Sequence, residues 1–312
     1  MSKTRVPEFS ALRPRGRLGD LKSVPVLPSL VTLGNVFFGF LAIAKVADAL
    51  RSSQPGAQFA EVVGLFETAA YLVFVAMVFD ALDGRIARMT NQATPFGAQL
   101  DSMADMVTFG VAPAFLAKVL VDWHAQTDAN SLLPFHPKLY YVAAAIYVLC
   151  AALRLARFNV ETSDDEEGHR EFHGLPSPAA AAVVCSLVAL FCTKEDEKQV
   201  LSHALLSAEH FDWIVMSMPF TIALLGLLMV SRFPYPHAVY AIVRGRHSFP
   251  FLASLVVMIG IAATEWQFAL VVVTIGYVIW GLLLGLVRLV TKRRIDSGGA
   301  GANGFGDEPH YN

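Results

Sequence analysis

Long runs of apolar residues constrain the fold of this chain more than any other feature of its sequence. The runs at 66–79, 140–153, 214–230 and 268–287 each contain few charged residues or none. A helix needs about 20 mostly apolar residues, each rising about 1.5 Å, to cross a membrane. The sequence is 55% hydrophobic and 16% charged, whereas soluble domains have about 45–50% apolar and about 25% charged residues. The chain is therefore predicted to be an all-α, polytopic transmembrane helical bundle.

Eight apolar segments are candidates for membrane spans. Their approximate limits are 26–50, 61–86, 98–122, 138–158, 175–193, 212–231, 249–264 and 267–289. The seventh segment is the shortest, so that residues 249–289 form either two spans or one kinked helix. A basic segment at 1–25 precedes the spans, and the glycine-rich residues 291–312 are predicted to be a disordered tail.

Basic residues are distributed unevenly among the connections between these segments. Lysine and arginine are concentrated before the first span, after the eighth, and in the second, fourth and sixth connections. Short connections rich in these residues stay in the cytoplasm. Both termini are therefore predicted to be cytoplasmic, which requires an even number of spans and agrees with eight. The net charge of −2 favours no class of partner, and no nucleic-acid partner is predicted.

Four aspartates form the pattern that indicates a chemical function. Asp80 and Asp83 are one turn apart near the end of the second span, and Asp101 and Asp105 are one turn apart in the third. Both spacings place two side chains on one helix face, with Cβ atoms about 5–6 Å apart. Helix capping or pairing with an arginine explains one or two such acids, but not two pairs on neighbouring helices. We expect the aspartates to bind divalent cations, because hard ions such as Mg²⁺ and Mn²⁺ prefer oxygen ligands.

The aspartates belong to a longer pattern of fixed spacing. It consists of Asp80, Asp83, Gly84, Ala87, Arg88, Gly97, Asp101 and Asp105. In this pattern the chain resembles the CDP-alcohol phosphatidyltransferase family. The resemblance implies a core of six helices within a transmembrane catalytic domain at 26–290, a homodimer, and two divalent ions that bind the diphosphate of a CDP-linked lipid. It also implies that the four aspartates are metal ligands and that Asp105 is the general base.

The same resemblance implies a nucleotide site next to the metals. Gly84, Arg88 and Gly97 would border the cytidine nucleotide. Thr32 and Asn35 in the first span are candidates for hydrogen bonds to the nucleotide or the diphosphate. The alternative for these two residues is a hydrogen bond between helices.

Further segments resemble one branch of that family, the integral-membrane phosphatidylserine synthases. These segments are 27–35, 101–114, 152–159 and 172–179. The resemblance implies that the phosphatidyl group of CDP-diacylglycerol is transferred to L-serine with release of CMP. The distribution of basic residues predicts that this site lies on the cytoplasmic side of the cell membrane. We expect a direct displacement, since no Cys, Ser or His stands beside a base as a covalent nucleophile.

Three polar residues near the end of the fourth span are candidates for serine binding. They are Arg154, Arg157 and Asn159. Arginine binds carboxylates as a rigid two-pronged donor, and serine carries a carboxylate. The alternatives are that the arginines extend to the membrane interface, pair with an acid, or hold a lipid phosphate.

Other functions remain open from the sequence alone. The alternative acceptors are glycerol 3-phosphate, an inositol phosphate and choline, and ether-linked lipid tails are an alternative to ester-linked ones. A divalent-cation transporter would also use clustered acids, although transporters place them near the bilayer midplane, often within repeats that this sequence does not show. A catalytically inactive scaffold is disfavoured, because the family pattern is unbroken.

Overall fold

The computed structural model describes residues 26–53, 59–90, 94–127, 137–163, 174–195, 207–231, 233, 256, 260 and 263–299. Within these ranges the ordered elements are helices and no strand is present, so the all-α prediction is confirmed. The predicted basic segment at 1–25 lies outside the described residues. The last helix passes the predicted boundary at residue 290, and the predicted tail beyond residue 299 is not described.

Eight α-helices follow one another along the described chain. They are α1 (Val26–Ser52), α2 (Phe59–Met89), α3 (Pro95–Asp105), α4 (Ala112–Thr127), α5 (Pro137–Ser163), α6 (Ser177–Cys192), α7 (Ala208–Val230) and α8 (Trp266–Gly299). A π-helical turn, Met106–Val111, joins α3 to α4 without a break in the helix. We call the end of the bundle where α2 ends and α3 begins the site end.

The prediction of about eight spans is not confirmed. Among the described residues, six helical segments are long and apolar enough to cross a membrane, namely α1, α2, α3 with α4, α5, α7 and α8. The fifth predicted span corresponds to α6, a helix of 16 residues, which is about 24 Å long and shorter than a typical span. The seventh predicted span, 249–264, lies mostly outside the described residues. The break predicted beside Thr264 is present, because α8 begins at Trp266 and Glu265 before it is not helical.

The short length of α6 follows from its position inside the bundle. Most of its residues are buried, including Cys185 and Phe191, and a helix that is apolar on all sides is one that other helices surround. Because α6 is enclosed by protein, its length need not match the hydrocarbon layer. Large side chains on outer helices are exposed instead, such as Phe40, Leu153 and Trp280, as expected where lipid covers the surface.

The first helix is fixed closely against the π-helical turn. A Cβ at Gly39 would lie 2.3 Å from Oγ1 of Thr108, so only glycine permits this approach. One turn earlier, the Thr108 hydroxyl donates a 3.2 Å hydrogen bond to the backbone oxygen of Asn35. These contacts hold α1 against the segment that follows Asp105.

Polar contacts at the end of the bundle opposite the site end attach α8 to α2. Nε2 of Gln267 donates a 3.1 Å hydrogen bond to the Tyr71 hydroxyl, which itself donates to the Glu67 carboxylate. Further along α8, the hydroxyls of Thr274 and Ser186 are 2.9 Å apart and join α8 to α6. The N-terminal part of α8, from Gln267 to Thr274, is therefore held in a defined position against the bundle.

Candidate active site

The start of α3 is fixed by its capping residue. The Thr94 side chain accepts a 3.1 Å hydrogen bond from the backbone N–H of Gly97, and Pro95 occupies the first turn. Both features are typical of a helix N-terminus, because they satisfy or remove N–H groups that have no partner within the helix. The cap sets the register of α3 and so the direction in which Asp101 and Asp105 point.

Three of the four predicted metal ligands meet in space. Asp80 from α2 and Asp101 and Asp105 from α3 each offer one oxygen atom, and these atoms all lie within 4.8 Å of one another. All three residues are partly buried. Asp83 lies outside this group and is more buried, and its carboxylate faces the side chain of Thr32 on α1. Helices α2 and α3 thus bring their acids together, with Asp83 beside the cluster.

One carboxylate oxygen on each of three aspartates of this site lacks a hydrogen-bond partner within the described part of the chain. Oδ2 of Asp83, Oδ1 of Asp101 and Oδ1 of Asp105 are buried and accept no hydrogen bond from any described residue. Buried carboxylates this close together repel one another and lose hydration, which is costly unless a cation compensates. Divalent ions such as Mg²⁺ bind through oxygen ligands of this kind. The donor set therefore fits a divalent metal.

A cavity of about 210 Å³ opens next to the acids. Its lining includes Thr32, Asp83, Gly84, Arg88, Gly97 and Asp101. Four of the five residues predicted to bind the CDP-linked lipid, all except Asn35, therefore share one cavity.

The two glycines that were predicted to border the nucleotide leave that cavity open. A Cβ at Gly84 would meet no protein atom within 4 Å, and one at Gly97 would meet only Oγ1 of Thr94, at 3.4 Å. Protein packing therefore does not require glycine at either position. A ligand that approaches the backbone closely would explain why both positions are glycine, since any larger side chain would occupy the space of the ligand.

Asn35 lies deeper than the cavity. It is fully buried, and neither its side-chain oxygen nor its side-chain nitrogen has a hydrogen-bond partner within the described chain. The alternative of a side-chain hydrogen bond between helices is not observed there, because the bond from Thr108 goes to the Asn35 backbone. An unpaired buried amide is costly, so a bound ligand or water is needed to satisfy it.

Arg154 lies beside the aspartates. Its guanidinium interacts electrostatically with the Asp105 carboxylate. Its Nη1 donates a 2.8 Å hydrogen bond to Oγ of Ser177, while its Nε is buried with no partner among the residues described. The Nε edge therefore keeps a hydrogen-bond donor that no described residue satisfies.

The other two candidates for serine binding have different surroundings. Oδ1 of Asn159 accepts a 2.9 Å hydrogen bond from the Ser102 hydroxyl, which ties α5 to α3 next to Asp101. Arg157 is partly buried one turn beyond Arg154. A role in serine binding stays a prediction for both residues.

Two features of the site were not foreseen. Ser177 is the buried first residue of α6 and a partner of Arg154, a contact between helices for which the sequence carries no signal. The Tyr147 hydroxyl donates a 3.0 Å hydrogen bond to the backbone oxygen of Phe109 in the π-helical turn after Asp105. In an α-helix that oxygen would accept from residue 113, but Pro113 has no N–H. Pro113 was thus the available signal that a side-chain donor is needed here.

Comparison with known proteins adds the following similarities. Residues 25–224 match the model of the CDP-alcohol phosphatidyltransferase family. The chain is 32% identical over 217 residues to the CDP-diacylglycerol–serine O-phosphatidyltransferase of Helicobacter pylori, covering 68% of this chain and 72% of that protein. It is 34% identical over 181 residues to the enzyme of the same name in Mycobacterium tuberculosis, covering 57% and 53% of the two chains. It is 33% identical over 168 residues to archaetidylserine synthase of Methanothermobacter thermautotrophicus, covering 53% and 59%.

Proposed function

The chain belongs to the CDP-alcohol phosphatidyltransferase family, and from this membership we propose that it transfers the phosphatidyl group of CDP-diacylglycerol to the hydroxyl of L-serine, releasing CMP. The names of the similar proteins support serine as the acceptor. The observation that carries the proposal is the cluster of Asp80, Asp101 and Asp105 beside a cavity kept open by glycines. This arrangement suits a metal-dependent reaction of a nucleotide diphosphate.

The metal ligands are proposed to be all four aspartates. Asp80, Asp101 and Asp105 would hold a divalent ion directly, and Asp83 has a buried oxygen available for a second. Bound Mg²⁺ or Mn²⁺ would neutralise the charge of the diphosphate and of the departing CMP. The unpartnered oxygens support the presence of metal, and both ions accept all-oxygen sites.

The nucleotide end of the donor is proposed to bind in the cavity. Gly84 and Gly97 leave room for it against the backbone, and Arg88 supplies a positive charge at the cavity wall. Thr32 lines the same cavity. The side-chain amide of Asn35 has no partner in the described chain. It would hydrogen-bond a polar group of the donor that reaches deeper than the cavity.

The acceptor is proposed to bind on the Arg154 side of the aspartates. The free Nε edge of Arg154 would bind the serine carboxylate in the geometry that arginine favours. This places the serine hydroxyl near Asp105, which interacts with the same arginine. Arg157 and Asn159 lie on the same helix and are proposed to complete this side of the site.

The reaction is proposed to be a single displacement at the β-phosphorus. Asp105 takes the proton of the serine hydroxyl. The serine oxygen forms a bond to phosphorus, and the bond from phosphorus to the bridging oxygen breaks, so that CMP leaves with that oxygen. A covalent phosphatidyl-enzyme would instead exchange labelled CMP into CDP-diacylglycerol in the absence of serine and product. We expect no such exchange, and its detection would exclude the single displacement.

The arrangement in the cell is also part of the proposal. Basic residues in alternate connections support cytoplasmic termini and a cytoplasmic site end, where CDP-diacylglycerol and free serine meet. We propose that α6 and residues 249–264 also cross the membrane. The resulting eight spans would place both termini on the same side. Family membership supports a six-helix core and a homodimer.

The proposed function is tested by CMP release from the purified protein. The reaction would contain CDP-diacylglycerol, Mg²⁺ or Mn²⁺, and one alcohol at a time: L-serine, glycerol 3-phosphate, an inositol phosphate or choline. We expect release with L-serine alone and none after the metal is chelated. Equal release without serine, or faster release with another alcohol, would contradict the assignment of serine.

A further inference from the structure

The segment that leads into α6 places a buried hydroxyl against Arg154. This segment belongs to residues 172–179, which resemble the phosphatidylserine synthases, and the structure describes it from Gly174 onward. Ser177, the first residue of α6, is fully buried. Within the described chain its side chain makes one hydrogen bond, which Oγ accepts from Nη1 of Arg154 at 2.8 Å. Ser177 therefore contacts the residue that is proposed to bind the acceptor.

The turn before α6 is fixed against the end of α7. Gly174 has a φ of +95°, which favours glycine, and a Cβ there would lie 2.3 Å from the backbone oxygen of Met229. The Gly174 N–H donates a 2.8 Å hydrogen bond to the backbone oxygen of Phe233, and the Leu175 N–H donates a 3.0 Å bond to that of Leu228. The last carbonyl groups of a helix have no partner within it, so the turn and α7 satisfy each other. The backbone that precedes Ser177 is thereby held in place.

Two prolines fix the start of α6 on the other side of this turn. Pro176 is the N-cap residue, and its backbone oxygen accepts a 3.0 Å hydrogen bond from the N–H of Ala180. Pro178 lies in the first turn of α6, where a missing N–H costs nothing because it would have no partner within the helix. Ser177 lies between the two prolines. Its hydroxyl therefore has a position that the backbone determines.

The bond to Ser177 leaves the other side of the Arg154 guanidinium available. In arginine, Nε–H and one N–H of Nη2 point in the same direction and form the fork that binds a carboxylate through two parallel hydrogen bonds. Nη1 lies away from that fork, and Nη1 is the atom that Ser177 binds. Nε is buried and has no partner among the described residues. Ser177 thus holds Arg154 without occupying the edge that suits a carboxylate.

Such a contact matters because an arginine side chain is flexible. It has several rotatable bonds, and fixing it costs conformational entropy. A hydrogen bond to a hydroxyl in a fixed position restricts these bonds before any substrate arrives. Less entropy is then lost when the substrate binds, which strengthens binding.

We propose that Ser177 is a positioning residue for the acceptor, whose hydroxyl oxygen holds Arg154 in the orientation that binds the carboxylate of serine. The segment 174–177 therefore contributes to recognition of the acceptor through Arg154. This inference rests on the proposed function, since it assumes that Arg154 binds the acceptor. It predicts an effect on the use of serine and none on the binding of CDP-diacylglycerol.

The test uses two variants of Ser177 and a matched control. Ser177→Ala removes the acceptor oxygen, and Ser177→Cys retains a side chain of similar shape with only a weak acceptor, so that loss of the bond is separated from loss of packing. Ser186→Ala is the control, because it removes another fully buried hydroxyl of α6, one that bonds to Thr274 rather than to Arg154. KM for L-serine, KM for CDP-diacylglycerol and the melting temperature would be measured for each protein and for the double variant Ser177→Ala with Arg154→Ala.

We expect both Ser177 variants to raise KM for serine about 3- to 10-fold, the size of effect that loss of one ordinary hydrogen bond produces. KM for CDP-diacylglycerol should stay at the wild-type value in both. Ser186→Ala should leave both KM values unchanged, even where its melting temperature falls as far as that of Ser177→Ala. The double variant should have the same KM for serine as Arg154→Ala alone, because Ser177 acts through Arg154.

Several results would overturn the inference. One is an unchanged KM for serine in Ser177→Cys and in Ser177→Ala, and the cysteine variant alone decides this if the alanine variant does not fold. Another is an equal rise in Ser186→Ala, or a rise in KM for CDP-diacylglycerol in the Ser177 variants, since either shows a general effect of α6 packing. A further rise in the double variant would show that Ser177 acts independently of Arg154. Lack of serine-dependent activity in the wild-type protein would instead contradict the proposed function.

Discussion

Nη1 of Arg154 donates a 2.8 Å hydrogen bond to the Ser177 hydroxyl, whereas Nε of the same guanidinium is buried and has no partner in the described part of the chain. The bond to Ser177 ties the end of α5 to the start of α6. The free Nε edge leaves a buried cationic donor close to Asp105. Arg154 is therefore the proposed partner of the acceptor's carboxylate.

Replacing Arg154 and replacing Arg88 should each weaken the binding of a different substrate. Arg154→Ala removes the proposed partner of the serine carboxylate, so KM for serine should rise roughly 10- to 100-fold, as for loss of hydrogen bonds to a charged group. Arg88→Ala, at the wall of the nucleotide cavity, should raise KM for CDP-diacylglycerol instead. Steady-state kinetics with each substrate varied in turn distinguish the two effects. Unchanged serine kinetics in both Arg154→Ala and Arg157→Ala would remove these arginines from the acceptor site.

Asp105→Asn should abolish turnover. The amide keeps the shape of the side chain but cannot take the proton of serine, and general-base catalysis contributes about 10²- to 10⁴-fold to rate. We expect kcat to fall by at least about 100-fold while metal-dependent nucleotide binding is largely retained. Asp48→Asn, at an exposed carboxylate in α1, is the control and should keep wild-type kcat. A wild-type rate for Asp105→Asn would show that another group is the base.

Gly84→Ala should weaken donor binding without destabilising the protein. The new Cβ would meet no protein atom within 4 Å, so it would enter the space proposed for the nucleotide. KM for CDP-diacylglycerol should rise roughly 5- to 100-fold, as for overpacking by one methyl group.

Two other glycines give the controls for this prediction. Gly64→Ala, in the same helix and equally open, should leave both KM and melting temperature unchanged or slightly raise the latter. Gly39→Ala should lower the melting temperature, because its Cβ would lie 2.3 Å from Oγ1 of Thr108. If Gly84→Ala kept the wild-type KM, the nucleotide would have to bind elsewhere.

Tyr147→Phe should lower both stability and kcat. The substitution leaves the Phe109 backbone oxygen without its observed donor, and an unsatisfied buried acceptor costs about 1–3 kcal/mol. Because the π-helical turn begins directly after Asp105, its distortion should also displace the proposed base. Tyr141→Phe is the control on the same helix, since Tyr141 is exposed. Equal melting temperatures and kcat values for the two variants would show that the bond to Phe109 has no role.

The sequence predicted the limits of several long apolar helices to within a few residues, although not the number of spans, because the signal for each helix is local. The predicted spans 26–50 and 138–158 correspond to α1 and α5 within a few residues, since a change from polar to apolar residues marks each boundary. The length of α6 was not predictable, because it depends on the helices that enclose it. The sequence cannot show that a helix is shielded from lipid on every side.

The site was predictable where one or two neighbouring helices determine it. Spacing predicted that the aspartates of the two helices lie together, because helical periodicity determines which side chains share a face, and Asp80, Asp101 and Asp105 do so. Spacing did not show that Asp83 lies apart from these three, since that depends on the position of Thr32 on α1. Ser177 was missed because its importance arises from a hydrogen bond with Arg154, which lies 23 residues away in the sequence.

The most direct measurement of the central claim is the formation of lipid product from labelled L-serine. Purified protein would be incubated with CDP-diacylglycerol, L-serine carrying a radioactive label and Mg²⁺ or Mn²⁺, and the extracted lipid would be analysed for phosphatidylserine and the aqueous phase for CMP. We predict labelled phosphatidylserine and CMP in equal amounts, both absent without metal and in Asp105→Asn. CMP release without label in the lipid, or labelled lipid formed equally well by Asp105→Asn, would contradict this account.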